Sequence, residues 1–284
     1  FMLDKEKIVF LIKEIKKKRE LQAIDDNFVT GHIHKFLQHE PKTAKALQEN
    51  FNRKSKAYTA VVKNVRAQLR RVYGLFRDDV KERKRLVEEL LVSSKQQRAF
   101  LLHKILSTHS STQERLPSYE ELYQKIFSIT GKPKTILDLG CGINPFSFSF
   151  MKLKECAYYA YDLNQEEIAS LNQYFQQLHK ENPSVTGKAI VADINKITFP
   201  KADICFLLKM TDVIDKGKGH KRTEELLNKI PAKYVVVSFA TKTMSGKEMT
   251  APRRSWMEWL CKRLGWEYTI LEFSNEILYL VKKR

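Results

Sequence analysis

"KTILDLGCGINPFSF", Lys134–Phe148, is the stretch from which the fold can be read. A short apolar run, Ile136, Leu137 and Leu139, carries one acid, Asp138, and then turns through Gly140 and Gly142. Such a run bounded by glycines predicts a buried strand, Thr135–Leu139. Similar runs follow at Ala157–Tyr161, Lys188–Ala192, Asp203–Leu208, Lys233–Phe239, Trp266–Glu272 and Glu276–Val281. Helical patterns separate the earlier ones, for example Gln165–His179 and Lys221–Asn228. This alternation predicts an α/β domain built on a parallel, doubly wound sheet. The last two strands are separated only by a turn at Ser274-Asn275. They must pair antiparallel, because a parallel crossover needs about a dozen residues.

The loop after the first strand sits where open α/β sheets bind ligands. Gly140 and Gly142 let the backbone pass close to a ligand without a Cβ in the way. A lone G-x-G says little, but Asp162 ends the second strand about 20 residues beyond the loop, where a carboxylate can accept from a ribose diol. Asp193 ends the third strand and could take the exocyclic amine of an adenine. No Gly-Lys-Ser/Thr follows the loop, and Asn144-Pro145 stands where a dinucleotide loop has its third glycine. A carboxylate at Asp138 would repel a phosphate. It suits a ligand with a cationic end, such as the amino acid part of S-adenosylmethionine. The alternative is that Asp138 and Asp162 merely cap the helices that follow them.

The chain has 284 residues, 43% of them hydrophobic, enough for a sizeable core in one large domain or two. A net charge of +18 favours a polyanionic partner, nucleic acid before an anionic membrane. No apolar run approaches the roughly 20 residues of a membrane span. Lys5, Lys7 and Lys13 interrupt the first segment, so no secretory leader is expected and the cytoplasm is the expected compartment. Cys141, Cys156, Cys205 and Cys261 show no metal or redox spacing, so free thiols and no metal site are expected.

Charge and pattern both change near "STHSSTQERLPSYEEL". Residues 1–110 hold 25 Lys and Arg against 13 Asp and Glu, a net +12. Helices are predicted there at 4–20, 26–38, 42–50, 55–76 and 79–106, the last broken near Ser93-Ser94. We therefore expect an all-helical, basic domain over 1–110 and the α/β domain over 111–284. In the fourth helix Tyr58, Val61, Val62, Val65, Leu69, Val72 and Phe76 form one apolar face. At about 100° per residue, Lys56, Lys63, Arg66, Arg70 and Arg77 share a stripe about 80° wide. No acid occurs between Glu49 and Asp78. A solvated face usually mixes signs, so the stripe is read as tracking phosphates rather than as plain solvation.

These blocks together resemble the S-adenosylmethionine-dependent 16S ribosomal RNA guanine-N7 methyltransferases of the aminoglycoside-resistance type. "AVVKNVRAQLRRVYGLF" resembles their basic helix, "HSSTQERL" (His109–Leu116) their junction motif and "ILDLGCGINP" their cofactor loop. "VVVSFATKT…GKEM" followed by "EILYLVKK" resembles their C-terminal strands. The likeness runs from about residue 55 onward and is weak before that. It implies a class I, Rossmann-like methyltransferase fold with a seven-stranded, mostly parallel sheet behind a helical RNA-binding domain. It also implies S-adenosylmethionine as cofactor, a flipped guanine of 16S ribosomal RNA at the decoding site as substrate and the small ribosomal subunit as partner; a monomer is expected.

Carried over by residue, the resemblance implies that Arg115 clamps the methionine carboxylate. Asp138, Gly140 and Gly142 would hold the methionine end, Asp162 the ribose and Asp193 the adenine. Lys209, Phe239 and Lys247 would work at the reacting base, Phe239 by stacking. Lys242, Lys247 and Met249 would lie in a loop that meets RNA. That loop departs from the family: it is about two residues shorter, and Glu248 stands where a glycine is common. Duller roles stand beside these. Arg115 could pair with Glu114 or Glu120, Lys209 could be a solvated strand end, and Phe239 could be core. Trp256 and Trp259 are read as packing and His109 as a helix-end residue. Two other functions remain open: methylation of another ribosomal or transfer RNA nucleotide, and a noncatalytic RNA-binding protein on a relic fold.

Overall fold

The computed structural model describes residues 3–73, 80–215, 219–242 and 247–283. The chain divides into two compact units, one of residues 1–76 with 163–165, the other of residues 77–162 and 166–284.

The first unit is helical. It contains α1 (Lys5–Ile15), α2 (Asp26–His39), α3 (Pro41–Glu49) and α4 (Lys56–Tyr73). Asp4 and Asp25 cap the first two, accepting from the backbone N–H groups of Lys7 and Phe28. Leu11, Ile15, Ile33, Leu47, Val61, Val65 and Leu69 close one core, all fully buried. The apolar face expected for α4 is thus present through Leu69; Phe76 and Arg77 lie outside the described residues. The unit carries 17 Lys and Arg against 8 Asp and Glu, half of the net charge in about a quarter of the chain.

The second unit holds α5 (Val80–Val92), α6 (Lys95–Ser107), α7 (Ser110–Arg115) and α8 (Tyr119–Thr130) ahead of the sheet. Its strands are β1 (Thr135–Leu139), β2 (Cys156–Asp162), β3 (Val185–Val191), β4 (Ala202–Leu208), β5 (Ala232–Ala240), β6 (Glu267–Phe273) and β7 (Glu276–Lys282). The connecting helices are α9 (Gln165–Glu181), α10 (Thr211–Asp215), α11 (Lys221–Lys229) and α12 (Ser255–Leu264). The strand order is β3-β2-β1-β4-β5-β7-β6, and only β7 runs antiparallel to its neighbours. All seven expected strands are present, shifted by at most a few residues.

Strand residues alternate between two cores. Ile136, Tyr158, Phe206, Val236 and Leu278 face α5, α6, α8 and α9. Leu137, Cys205, Val237, Phe239 and Tyr279 face α10, α11 and α12. Both faces are therefore covered, as a mostly parallel sheet requires. This layering moves the expected domain boundary. Leu86, Val87, Leu90, Leu101 and Ile105 of α5 and α6 are buried in the core of the sheet, so the break falls after residue 76 and not near 110. In the sequence these two helices continue a Gly- and Pro-poor run, and nothing local separates them from α4. All four cysteines are free thiols, and all are buried.

Candidate active site

The chain order reverses between β1 and β4, so a crevice opens beyond their carboxyl ends. The backbone of Gly140 and Cys141 turns there by donating to the Tyr161 carbonyl at 2.8 and 3.0 Å. Gly140 has φ +68° and Gly142 φ +48°, in the left-handed region. A Cβ on Gly140 would lie 2.4 Å from the sulfur of Met210. Gly142 donates its N–H to Asp162 Oδ2 at 2.9 Å. One loop thus carries the glycines and reaches the acid at the end of the neighbouring strand.

Asp138 is buried at the end of β1. Asn144 Nδ2 and the Tyr158 hydroxyl both donate to its Oδ2, at 2.9 and 2.7 Å. Neither occupies Oδ1. Burial pushes the carboxyl up to about 6; the two donors and the Arg115 charge oppose that rise. Among the described residues no backbone N–H caps onto it, which speaks against the helix-cap alternative for Asp138. Asn144 explains the unusual Asn-Pro. Its amide donates to Asp138 while its own Oδ1 accepts from the buried Tyr119 hydroxyl at 2.9 Å. Pro145 opens the 3-10 turn Asn144–Met151, where its missing N–H costs nothing.

Arg115 closes the other side. It is buried and forms a two-pronged pair with Glu276 at the start of β7, Nε to Oε2 at 2.6 Å and Nη2 to Oε1 at 2.9 Å. Neither of the partners weighed for it, Glu114 or Glu120, is used: Glu114 pairs with Lys209 and Glu120 with Lys152. Glu276 also accepts from the Ser238 hydroxyl, and Ser238 accepts the Lys209 N–H at 3.0 Å. Burial works against the Glu276 carboxylate, yet the Arg115 charge and hydrogen bonds hold it below the usual range. The network joins the junction segment to the ends of β4, β5 and β7. Lys209 is no solvated strand end; its side chain is 8% exposed, and its backbone holds φ +55°, uncommon outside glycine.

Phe239 is corrected. Its ring is buried edge-on against Trp256 and Tyr279, with the Arg254 guanidinium over it at 5.2 Å. Alternation along β5 turns it into the core with Val235 and Val237. Trp256 packs as expected, stacked on His220 with centroids 3.9 Å apart, but Trp259 is 72% exposed and is not packing. His109 stands at the start of α7, its Nδ1 3.1 Å from the Ser111 hydroxyl and its Nε2 facing Gly142. Asp193 holds a local turn, accepting twice from Asn195 at 3.1 Å and pairing with Lys196 at 3.6 Å. Of the loop after β5, Lys242 bridges to Glu248, and Met249 donates its N–H to the Thr241 carbonyl at 2.8 Å. Lys247 is exposed.

On the basic helix, Lys56 and Lys63 are exposed as expected. Arg66 is not free: it donates to the carbonyls of Glu14 and Ile15 at the end of α1. Arg70 pairs with Glu20 at 2.7 Å. The acids missing from the local sequence come from residues about 50 positions earlier. Sequence reading also passed over Arg83. It donates to the Thr108 hydroxyl and carbonyl at 2.8 and 2.7 Å and pairs with Glu167 of α9, all three buried. Glu276 did leave a trace, an acid opening the apolar run "EILYLV", which needs a cation if it is buried.

The model of the ribosomal RNA methyltransferase (FmrO) family matches residues 33–281. The chain belongs to that family. Among the proteins similar to it is a "16S rRNA (guanine(1405)-N(7))-methyltransferase" of Proteus mirabilis, 30% identical over 63% of this chain and 64% of the relative. A protein of the same description from Frankia casuarinae is 27% identical over 65% of each chain. The alignments thus span just under two thirds of the relatives' length. In fold, the chain is similar over its whole length to the 16S rRNA methyltransferase RmtF in complex with S-adenosyl-L-homocysteine, which it also covers fully, with a TM-score of 0.76 at 20% identity. The 16S rRNA methylase ArmA is 25% identical over 72% of this chain and 100% of its own, with a TM-score of 0.55.

Proposed function

We propose that this FmrO-family chain transfers a methyl group from S-adenosylmethionine to N7 of a guanine in 16S ribosomal RNA near the decoding site. One observation carries the reading: Asp138, the Gly140–Gly142 turn and Asp162 converge at the switch point of the sheet, with a half-engaged buried carboxylate and no phosphate cradle. The residues fit the cofactor. Asp138 Oδ1 can accept from an ammonium group, Gly140 leaves room where a side chain would collide, and Asp162 can accept from a ribose. Arg115 offers a cation to a carboxylate, and Asp193 an acceptor to an adenine amine. When bound, the cofactor supplies an electrophilic methyl carbon.

Guanine N7 has an in-plane lone pair and no proton, so no side chain need act as a base. The protein's task is alignment of N7 with the methyl carbon, where well-oriented reactants gain most of their rate. With Phe239 in the core, Lys209 and Lys247 remain the candidates for positioning the flipped base. The first unit, with Lys56 and Lys63 exposed, would hold RNA phosphates. Lys242 and Met249 would meet RNA beside the crevice. The reading extends to a cytoplasmic monomer working on the small ribosomal subunit; among the described residues no helix is long and apolar enough to cross a membrane.

Incubating purified small subunits with labelled S-adenosylmethionine and mapping the modification by primer extension tests the reading. The expected product is 7-methylguanosine at one decoding-site guanine. The departures at Glu248 and in the length of that loop favour, as second reading, a different nucleotide, which the same map identifies. No transfer to any RNA would leave the relic fold.

A further inference from the structure

Arg83 is a buried cation that methyl transfer itself does not call for. It lies on α5 beside Leu86, Val87 and Leu90, which already hold that helix in the core of the sheet. A guanidinium among such residues carries a desolvation cost that an apolar side chain would avoid. Its hydrogen bonds go to two places. Nε donates to the Thr108 hydroxyl at 2.8 Å and Nη2 to the Thr108 carbonyl at 2.7 Å. Nη1 pairs with Glu167 Oε1 at 2.5 Å. Thr108 and Glu167 are buried as well.

These two places are the roots of the two arms of the candidate cofactor site. Thr108 directly follows α6 and directly precedes His109, the residue that opens α7. With six residues, α7 is too short to persist as a helix on its own, so its ends must be held from outside. Its last residue is Arg115, fixed by Glu276. Its first end is fixed through Thr108. Glu167 stands in the first turn of α9, five residues beyond Asp162. Arg83 therefore ties the start of the arm that carries the carboxylate clamp to the helix that follows the ribose acid. The ring closes through the glycine turn. Gly142 donates to Asp162 at 2.9 Å, and a Cβ on Gly142 would lie 3.7 Å from His109 Nε2. Apolar packing tolerates sliding of a short helix; three directed bonds from one rigid, planar group do not.

We infer that Arg83 and Glu167 are a positioning pair that sets the separation of Arg115 from Asp162. The pair thereby selects a nucleoside joined to an amino acid end over the nucleoside alone. This rests on the cofactor reading proposed above. The pair acts on the ligand only through Arg115 and Asp162.

Calorimetry on the full chain compares two ligands. S-adenosylhomocysteine spans both arms; methylthioadenosine has the adenine and ribose but no amino acid end. Arg83→Met combined with Glu167→Met removes both charges at once and strands neither in the core. Thr108→Val keeps the pair and removes one acceptor with little change of shape. In the double variant S-adenosylhomocysteine affinity should fall about tenfold or more while methylthioadenosine affinity stays within about twofold; Thr108→Val should lower only the first, by about threefold. Thermal melting of each variant is followed alongside. A brace that serves stability alone would lower the melting temperature and both affinities together, and that result overturns the inference. An unchanged ratio of the two affinities overturns it as well. If the double variant does not fold, the ratio in Thr108→Val decides by the same rule. An unaltered chain that fails to bind either one of the ligands overturns the cofactor reading itself, and the inference with it.

Discussion

Replacing Glu276 by Gln removes one charge from a pair whose members are each only 3–4% exposed. Arg115 cannot shed its proton, so its guanidinium would face a neutral amide inside the protein. One of the two hydrogen bonds, at 2.6 and 2.9 Å, would become a donor facing a donor. Breaking a buried pair from one side costs about 3–5 kcal/mol, a large part of the roughly 5–15 kcal/mol that holds a domain together. The Glu276→Gln variant should therefore unfold at clearly lower urea, followed by circular dichroism. Pairing it with Arg115→Met removes the stranded charge and should recover much of the stability while cofactor affinity stays poor. The pH dependence carries the same signature. The folded carboxyl lies below the usual 4.5, so its contribution is present above that value and is lost as pH falls through the folded pKa. Acid unfolding of the variant should lack that component. A Glu276→Gln chain within about 1 kcal/mol of the unaltered one, with an unchanged acid limb, would refute the argument.

Asp138 has the opposite sign: with its carboxyl pushed up to about 6, its protonated form is favoured in the folded chain, and that contribution is lost as pH rises from 3.8 through about 6. An ammonium ligand needs the charged form, so affinity for S-adenosylmethionine should fall by up to about tenfold per unit below pH 6; a flat calorimetric profile from pH 5 to 8 would count against the assignment. With cofactor saturating, the single-turnover methylation rate should stay nearly flat from about pH 6 to 9, because N7 needs no base; a bell-shaped profile would contradict this. Asp162→Ala should weaken cofactor binding by about 2–3 kcal/mol and Asp162→Asn by less, since the amide oxygen still accepts from Gly142; equal affinity in the alanine variant would remove Asp162 from the site. Gly140→Ala should cost about 1–2 kcal/mol for its φ of +68° alone, before Met210 is displaced, as read by urea denaturation.

The elements and the glycine turn after β1 were legible in the sequence because they rest on local rules. Two-residue and 3.6-residue apolar periods marked the strands and helices, and Gly140 with Gly142 marked a turn that other residues enter at a cost. That Asp138 and Asp162 stand near the ends of adjacent strands was legible for the same reason. The partnerships were not. Arg115 meets Glu276 across 161 residues, and Arg66 meets the end of α1 across about 50. Charge attraction acts through space, and no local spacing records which distant acid the fold will bring near. The same holds for α5 and α6, whose apolar faces suit any helical core until the sheet claims them. Phe239 shows the limit most plainly. Alternation put it on one face of β5 with Val235 and Val237, and that was readable. That this face packs against α12 depends on which layer covers it, which only the packed structure decided.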